Sequence, residues 1–295
     1  MTSFDLPPKF EIPKPAIIRP AEHSLLRPGA FRHVSRDERR AIVADLLQAK
    51  RLTISEAKRA LLFVPVVGWR GAGAGAPFSL VNVDTDGTTA NATTYNFTSI
   101  SLGEDVTGSD VRYTVVVAGT TQGGSIGSFD SGTLAGRTAG VVSDGSTSAE
   151  VSDGPSSDSH CVILIADTSG AGTSGIISIT YNGGCQGVGI AVYSLMNPSS
   201  SMASDVTIDG ADSSGQENVS LNIPAGGAAV GGVMCRGGGN YIWTGLNEDQ
   251  EYDVQSQEVM GAASGGSGGT PHTVTVQCSD TSPSTMVSVS ASWGP

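Results

Sequence analysis

The chain has 295 residues and a net charge of −12, with 38% hydrophobic and 5% aromatic residues, which is apolar material for one sizeable domain and an appendage, but not for two rich cores. The charge is split: residues 1–70 hold 13 of the 16 Lys and Arg against 7 acids, net +6, while residues 71–295 hold 3 Arg and 21 acids, net −18. Phosphate is repelled by so acidic a surface, which argues against nucleic acid as a partner of the second part. No window approaches the ~18 apolar residues of a membrane span, and the start MTSFDLPPKF lacks the apolar core of an export signal. The chain therefore reads as made in the cytoplasm and not embedded in a membrane.

Residues 1–34 form an extended Pro-rich docking arm in this reading. Pro7, Pro8, Pro13, Pro15, Pro20 and Pro28 each fix φ and push the preceding residue away from helix. Such a stretch reaches far but has no local core, so Phe10, Ile12, Ile17, Ile18, Leu25 and Leu26 need partners elsewhere. Together with Arg19 and Arg27 they are the expected docking and assembly residues.

Residues 35–70 read as a helical hairpin anchor. Ser35 and Glu38 make a capping box ahead of the stripe Ile42, Val43, Leu46 and Leu47, and Thr53 with Glu56 repeats the device before Ala57, Ala60, Leu61 and Val64. The second helix presents Lys58 and Arg59 but lacks the Asn, Gln or several Arg at base-reading positions that would read bases, so a DNA-binding hairpin is disfavoured. Trp69 follows as an interface anchor. Residues 71–77, GAGAGAP, have no side chains to fill a core and read as a hinge.

Residues 78–295 read as a mainly β display domain, a jelly-roll-like or Ig-like antiparallel sandwich of ten to twelve strands in two sheets. The expected strands are 78–83, 95–102, 111–118, 134–142, 161–166, 176–181, 188–195, 219–223, 228–235, 241–244, 272–278 and 286–292, rich in β-branched residues and separated by Gly, Asn, Asp and Ser. CVILIA is apolar on both faces and should be central, whereas TVTV and MVSVSAS alternate and should have one wet face. The longest loops are expected at 119–131, 143–159 and 247–271.

Little in this domain points to chemistry. GxSxG strings surround Ser125 and Ser267, but neither is followed by the helix that a nucleophile elbow requires. His160 and His272 have no companion at catalytic or metal spacing. Asp84 opens DTDG like a calcium loop, yet position 12 is Tyr95. Glu248, Asp249, Glu251 and Asp253 are the better candidates for a hard cation, with a solvated acidic loop as the alternative. No cofactor is expected. Cys161, Cys185, Cys235 and Cys278 match no zinc spacing and read as small buried hydrophobes, with any disulfide pairing left open.

The succession TYNFTSISLG, VRYTVVVAG, ISITYNGGCQGVGIAVYSLMN, NIPAGGAAVGGV and IWTGLNED resembles the β-sandwich domains of structural proteins of tailed bacteriophages, and KPAIIRPAE resembles their virion-docking tails. The resemblance implies a non-enzymatic protein at the virion surface, assembled in the host cytoplasm. Its partners would be other virion proteins, capsid or tail subunits, with a homo-oligomer such as a trimer expected. A capsid decoration or cement protein is the first role. A tail or head fibre adhesin is the alternative, binding a host surface glycan through Tyr241 and Trp243, with Trp293 as a further aromatic. A polysaccharide-degrading enzyme would need paired carboxylates in a cleft, and no motif picks them out.

Overall fold

The chain divides into two units, 1–70 and 71–295. The computed structural model describes residues 76–295 except 107, 122–126, 153–158, 213–215, 237–239, 256–257, 267–269 and 279–284. The Pro-rich arm, the helical hairpin and the hinge up to residue 75 lie outside the described residues, and so do Phe10, Ile12, Ile17, Ile18, Arg19, Leu25, Leu26, Arg27 and Trp69. The described part is mainly β and antiparallel, without a helix.

The first half comprises β1 (Ser79–Thr88), β2 (Ala92–Ser101), β3 (Arg112–Thr121), β4 (Phe129–Leu134), β5 (Arg137–Thr138), β6 (Gly140–Val141), β7 (Glu150–Ser152), β8 (Ser159–Asp167), β9 (Ser174–Cys185) and β10 (Val188–Met196). These build an inner sheet, β1-β10-β3-β8 continued by β6 and β7 on β8, and an outer sheet, β2-β9-β4-β5. The second half comprises β11 (Asp205–Asp212), β12 (Gln216–Ile223), β13 (Ala228–Arg236), β14 (Tyr241–Thr244), β15 (Asn247–Gln255), β16 (Glu258–Gly266), β17 (Thr270–Cys278) and β18 (Thr285–Trp293). Its inner sheet runs β11-β18-β13-β16-β15 and its outer sheet β12-β17-β14.

The same winding therefore occurs twice, with β1, β2, β3, β4, β8, β9 and β10 answered by β11, β12, β13, β14, β16, β17 and β18. Four sheets replace the two expected. They stack in four layers, because strands of each inner sheet bury both faces. Val116 and Ala118 of β3 pack with Ile177 and Ile179 of the first outer sheet, while Val115 and Val117 pack with Val230 and Met234 of the second inner sheet. On the far side, Ala229 meets Leu221 and Val274, and Val233 meets Val276. CVILIA is central as expected, lying in β8 between two layers. MVSVSAS is a correction: Ser288, Ser290 and Ser292 are buried, and the Ser292 hydroxyl donates to the Asn222 carbonyl at 2.7 Å.

The seam between the inner sheets is close because small residues line it. A Cβ on Gly232 would stand 2.4 Å from Val117 Cγ1 and 2.8 Å from Cys161 Sγ, and one on Gly119 would stand 2.5 Å from Met260 Cγ. Small residues thus let a modest apolar composition fill three interlayer cores, because backbone itself fills the space that larger side chains fill elsewhere.

Part of the region expected as the loop 247–271 is the hairpin β15–β16. GAASGG carries no β-branched residue, yet small side chains are what its place requires: Ala262 enters the seam, Ala263 enters the core of the second half, and a Cβ on Gly261 would meet Tyr241 Cδ2 at 2.5 Å. The expected single strand 134–142 is broken at Ala135 and Gly136, whose φ of 52° and 76° turn β4 back onto β5.

Candidate functional site

Strand register builds one polar cluster that sequence spacing did not reveal. β7 pairs antiparallel with β8, placing Ser152 opposite His160 and Glu150 opposite Val162. His160 Nε2 donates to Glu150 Oε1 at 3.0 Å, and the Phe129 backbone N–H donates to the same oxygen at 2.8 Å. The imidazole, 1% exposed, sits edge-on to Tyr181 at 5.5 Å between ring centroids, and Tyr181 sits edge-on to Tyr95 at 6.3 Å. The Tyr95 hydroxyl donates to the Cys185 carbonyl at 2.8 Å. Burial pushes the Glu150 carboxyl up, but the His160 contact and the Phe129 amide outweigh it and hold the group below the usual range. Burial drives the Tyr181 hydroxyl well above its ordinary range, and neither that hydroxyl nor His160 Nδ1 has a hydrogen-bond partner.

An acid–base pair acts on a substrate only within hydrogen-bond reach. This imidazole is covered on all sides, and what Glu150 does there is tie β4 and β7 to β8. The sequence signal for it was thin: an acid ten residues before a histidine, with the intervening turn unreadable.

The other candidates disperse. Tyr241 is 3% exposed in the core of the second half, so its ring offers no face for sugar stacking. Trp243 is half-buried between two clusters, close enough to Gly231 that a Cβ there would stand 2.9 Å from Cζ3. Trp293 is 1% exposed and its indole N–H donates to the Ser201 carbonyl at 3.4 Å. The aromatics named for glycan contact are thus packing residues, except for the exposed part of Trp243.

The acids of β15 do not converge either. Asp249 Oδ2 accepts from the Tyr193 hydroxyl of the first half at 3.0 Å, whereas a Glu251 oxygen accepts from the Tyr241 backbone N–H of the second. Glu248 and Asp253 are exposed. Among the described residues no group of three or more His, Cys, Asp or Glu is placed to hold a metal ion. DTDG lies within β1, where Asp84 accepts from the backbone amides of Thr85 and Ser101 at 2.8 and 2.6 Å. Ser125 and Ser267 lie outside the described residues, and so does the His272 side chain.

A heavily bonded charged group among the described residues is Arg112. It is buried, with Nη1 donating to the Glu104 carbonyl at 2.8 Å and Nη2 to the Thr168 and Gly172 carbonyls at 2.8 and 2.7 Å. Burial lowers its pKa, and the nearby Asp105 opposes that shift. The guanidinium fastens two loops at one end of the first half.

No family model matches the chain, and neither a curated protein nor a solved structure matches it.

Proposed function

We propose that the chain is a non-enzymatic structural component of the exterior of a tailed-phage virion, and that it is a capsid decoration or cement protein. The observation that carries the reading is the contrast between a basic segment, Pro-rich over residues 1–34, and an acidic β unit in which the His160–Glu150 and Arg112 clusters hold strands and loops together. The strand orders β1-β10-β3-β8 against β2-β9-β4 and β11-β18-β13-β16 against β12-β17-β14 support a jelly-roll winding in each half. A stack of this kind is a rigid, repulsively charged body suited to display. In this role the arm and hairpin, residues 1–70, clamp neighbouring shell subunits and the acidic unit faces outward.

The test is incorporation. Deleting residues 1–30 should abolish attachment to the particle while the β unit keeps its unfolding transition; unchanged attachment would remove the anchor from the account. Incubating the purified chain with host surface polysaccharide separates the competing roles. Neither binding nor cleavage is expected, whereas binding without cleavage would favour a fibre adhesin and released oligosaccharides would establish an enzyme.

A further inference from the structure

Sequence spacing left the four cysteines unpaired, and the fold brings two of them together. Cys235 lies at the end of β13 in the second inner sheet, and Cys278 is the last residue of β17 in the facing outer sheet. Both belong to one core cluster with Val233, Tyr241, Val276 and Met286, and their sulfurs are 3.8 Å apart. Cys161 and Cys185 lie in different layers, Cys161 in the seam between the inner sheets and Cys185 in the core of the first half. All four thiols are buried, so what singles out Cys235 and Cys278 is the proximity of their sulfurs within one cluster.

We propose that Cys235 and Cys278 close into a disulfide that staples the inner sheet to the outer sheet of the second half once the protein meets an oxidising medium. Closing the gap to a bond of about 2.0 Å asks each sulfur to move by on the order of 1 Å, within the reach of side-chain rotation and strand-end breathing. With a small disulfide such as oxidised glutathione as oxidant, one cysteine thiolate attacks it and releases one glutathione thiolate. The second cysteine thiolate then attacks the mixed disulfide and releases the other. The two protons leave with the two reduced glutathiones, so the protein pair is oxidised and the reagent is reduced in equal measure. A reducing medium keeps the pair open, and an oxidising one closes it. The bond crosses between sheets and encloses 43 residues of chain separation, long enough for cross-linking to restrict the unfolded state substantially. The inference stands on the second half alone and does not depend on where the protein acts.

The test uses the full chain, folded, with and without oxidised glutathione, followed by denaturing alkylation and peptide mapping. A linked peptide pair containing Cys235 and Cys278 is expected, with Cys161 and Cys185 recovered as alkylated thiols. The oxidised chain should melt about 10 °C higher than the reduced one, and Cys235→Ser should abolish that gain. Recovery of four alkylated thiols, or a link that includes Cys161 or Cys185, overturns the proposal. Mapping of the unsubstituted chain decides the matter by itself if Cys235→Ser does not fold.

Discussion

The guanidinium of Arg112 is buried and serves three backbone carbonyls from Glu104, Thr168 and Gly172, and its removal takes a charged donor from each of them. Arg112→Met keeps the stem but not the donors, and should lower stability by at least about 3 kcal/mol, read as a fall in the urea midpoint at unchanged slope. Asp249 gives a pH signature of opposite origin to Glu150. Burial at the seam raises its carboxyl to about 6, partly offset by hydrogen bonds from Ser264 and Tyr193. A group with a raised folded pKa contributes stability below its unfolded value, and that contribution is lost as pH rises through about 6. Asp249→Asn should therefore stabilise the protein at pH 8 by about 1–2 kcal/mol and leave it nearly unchanged at pH 4. Denaturant titrations at the two pH values check the difference. Glu150, held below its usual range, works the other way: its contribution is present at neutral pH and is lost on acidification. Arg112 and Glu150 do not stand out in the sequence, and Asp249 does so only as one of four cation candidates, because each takes its role from partners tens of residues away or from strand register.

At the scale of elements, the inner sheets touch through glycine. Gly232→Val would drive a side chain into Val117 and Cys161, and should cost about 1–3 kcal/mol through overpacking; a melting temperature equal to the parent's would show that the seam can open without cost. The legibility of each strand follows from the same packing. Strands such as β8 and β10 announce themselves by β-branched runs, since both faces need bulk. β16 is just as central but is rich in Gly and Ala, which read as loop when the neighbouring layer is unknown, whereas Val230, Val233 and Met234 of β13 still mark it as a strand. β11, DVTIDGAD, was overlooked because two of its acids and a glycine outweighed Val206 and Ile208. The repetition of the winding is not legible in the sequence for a related reason. Val117 of β3 faces Gly232 of β13 across the seam, so equivalent central strands carry complementary instead of similar residues.

At the scale of the molecule, Ala76, within the expected hinge 71–77, is tied to the β unit. The Ala76 N–H donates to Asp110 Oδ1 at 2.7 Å, and Asn197 Nδ2 donates to the Ala76 carbonyl at 2.5 Å. Limited proteolysis near Gly73 should release a fragment from about residue 74 onward with the parent's unfolding transition; aggregation of that fragment would assign residues 1–73 to the core. The charge of −18 on residues 71–295 should keep such fragments monomeric at low salt. The proposed attachment of this acidic stack to a particle is decided by the number of chains per purified virion, read from a quantified protein gel. Capsid decoration predicts hundreds of copies. A handful in multiples of three or six would contradict decoration in favour of a tail or neck position, and absence from the particle would contradict the virion role altogether.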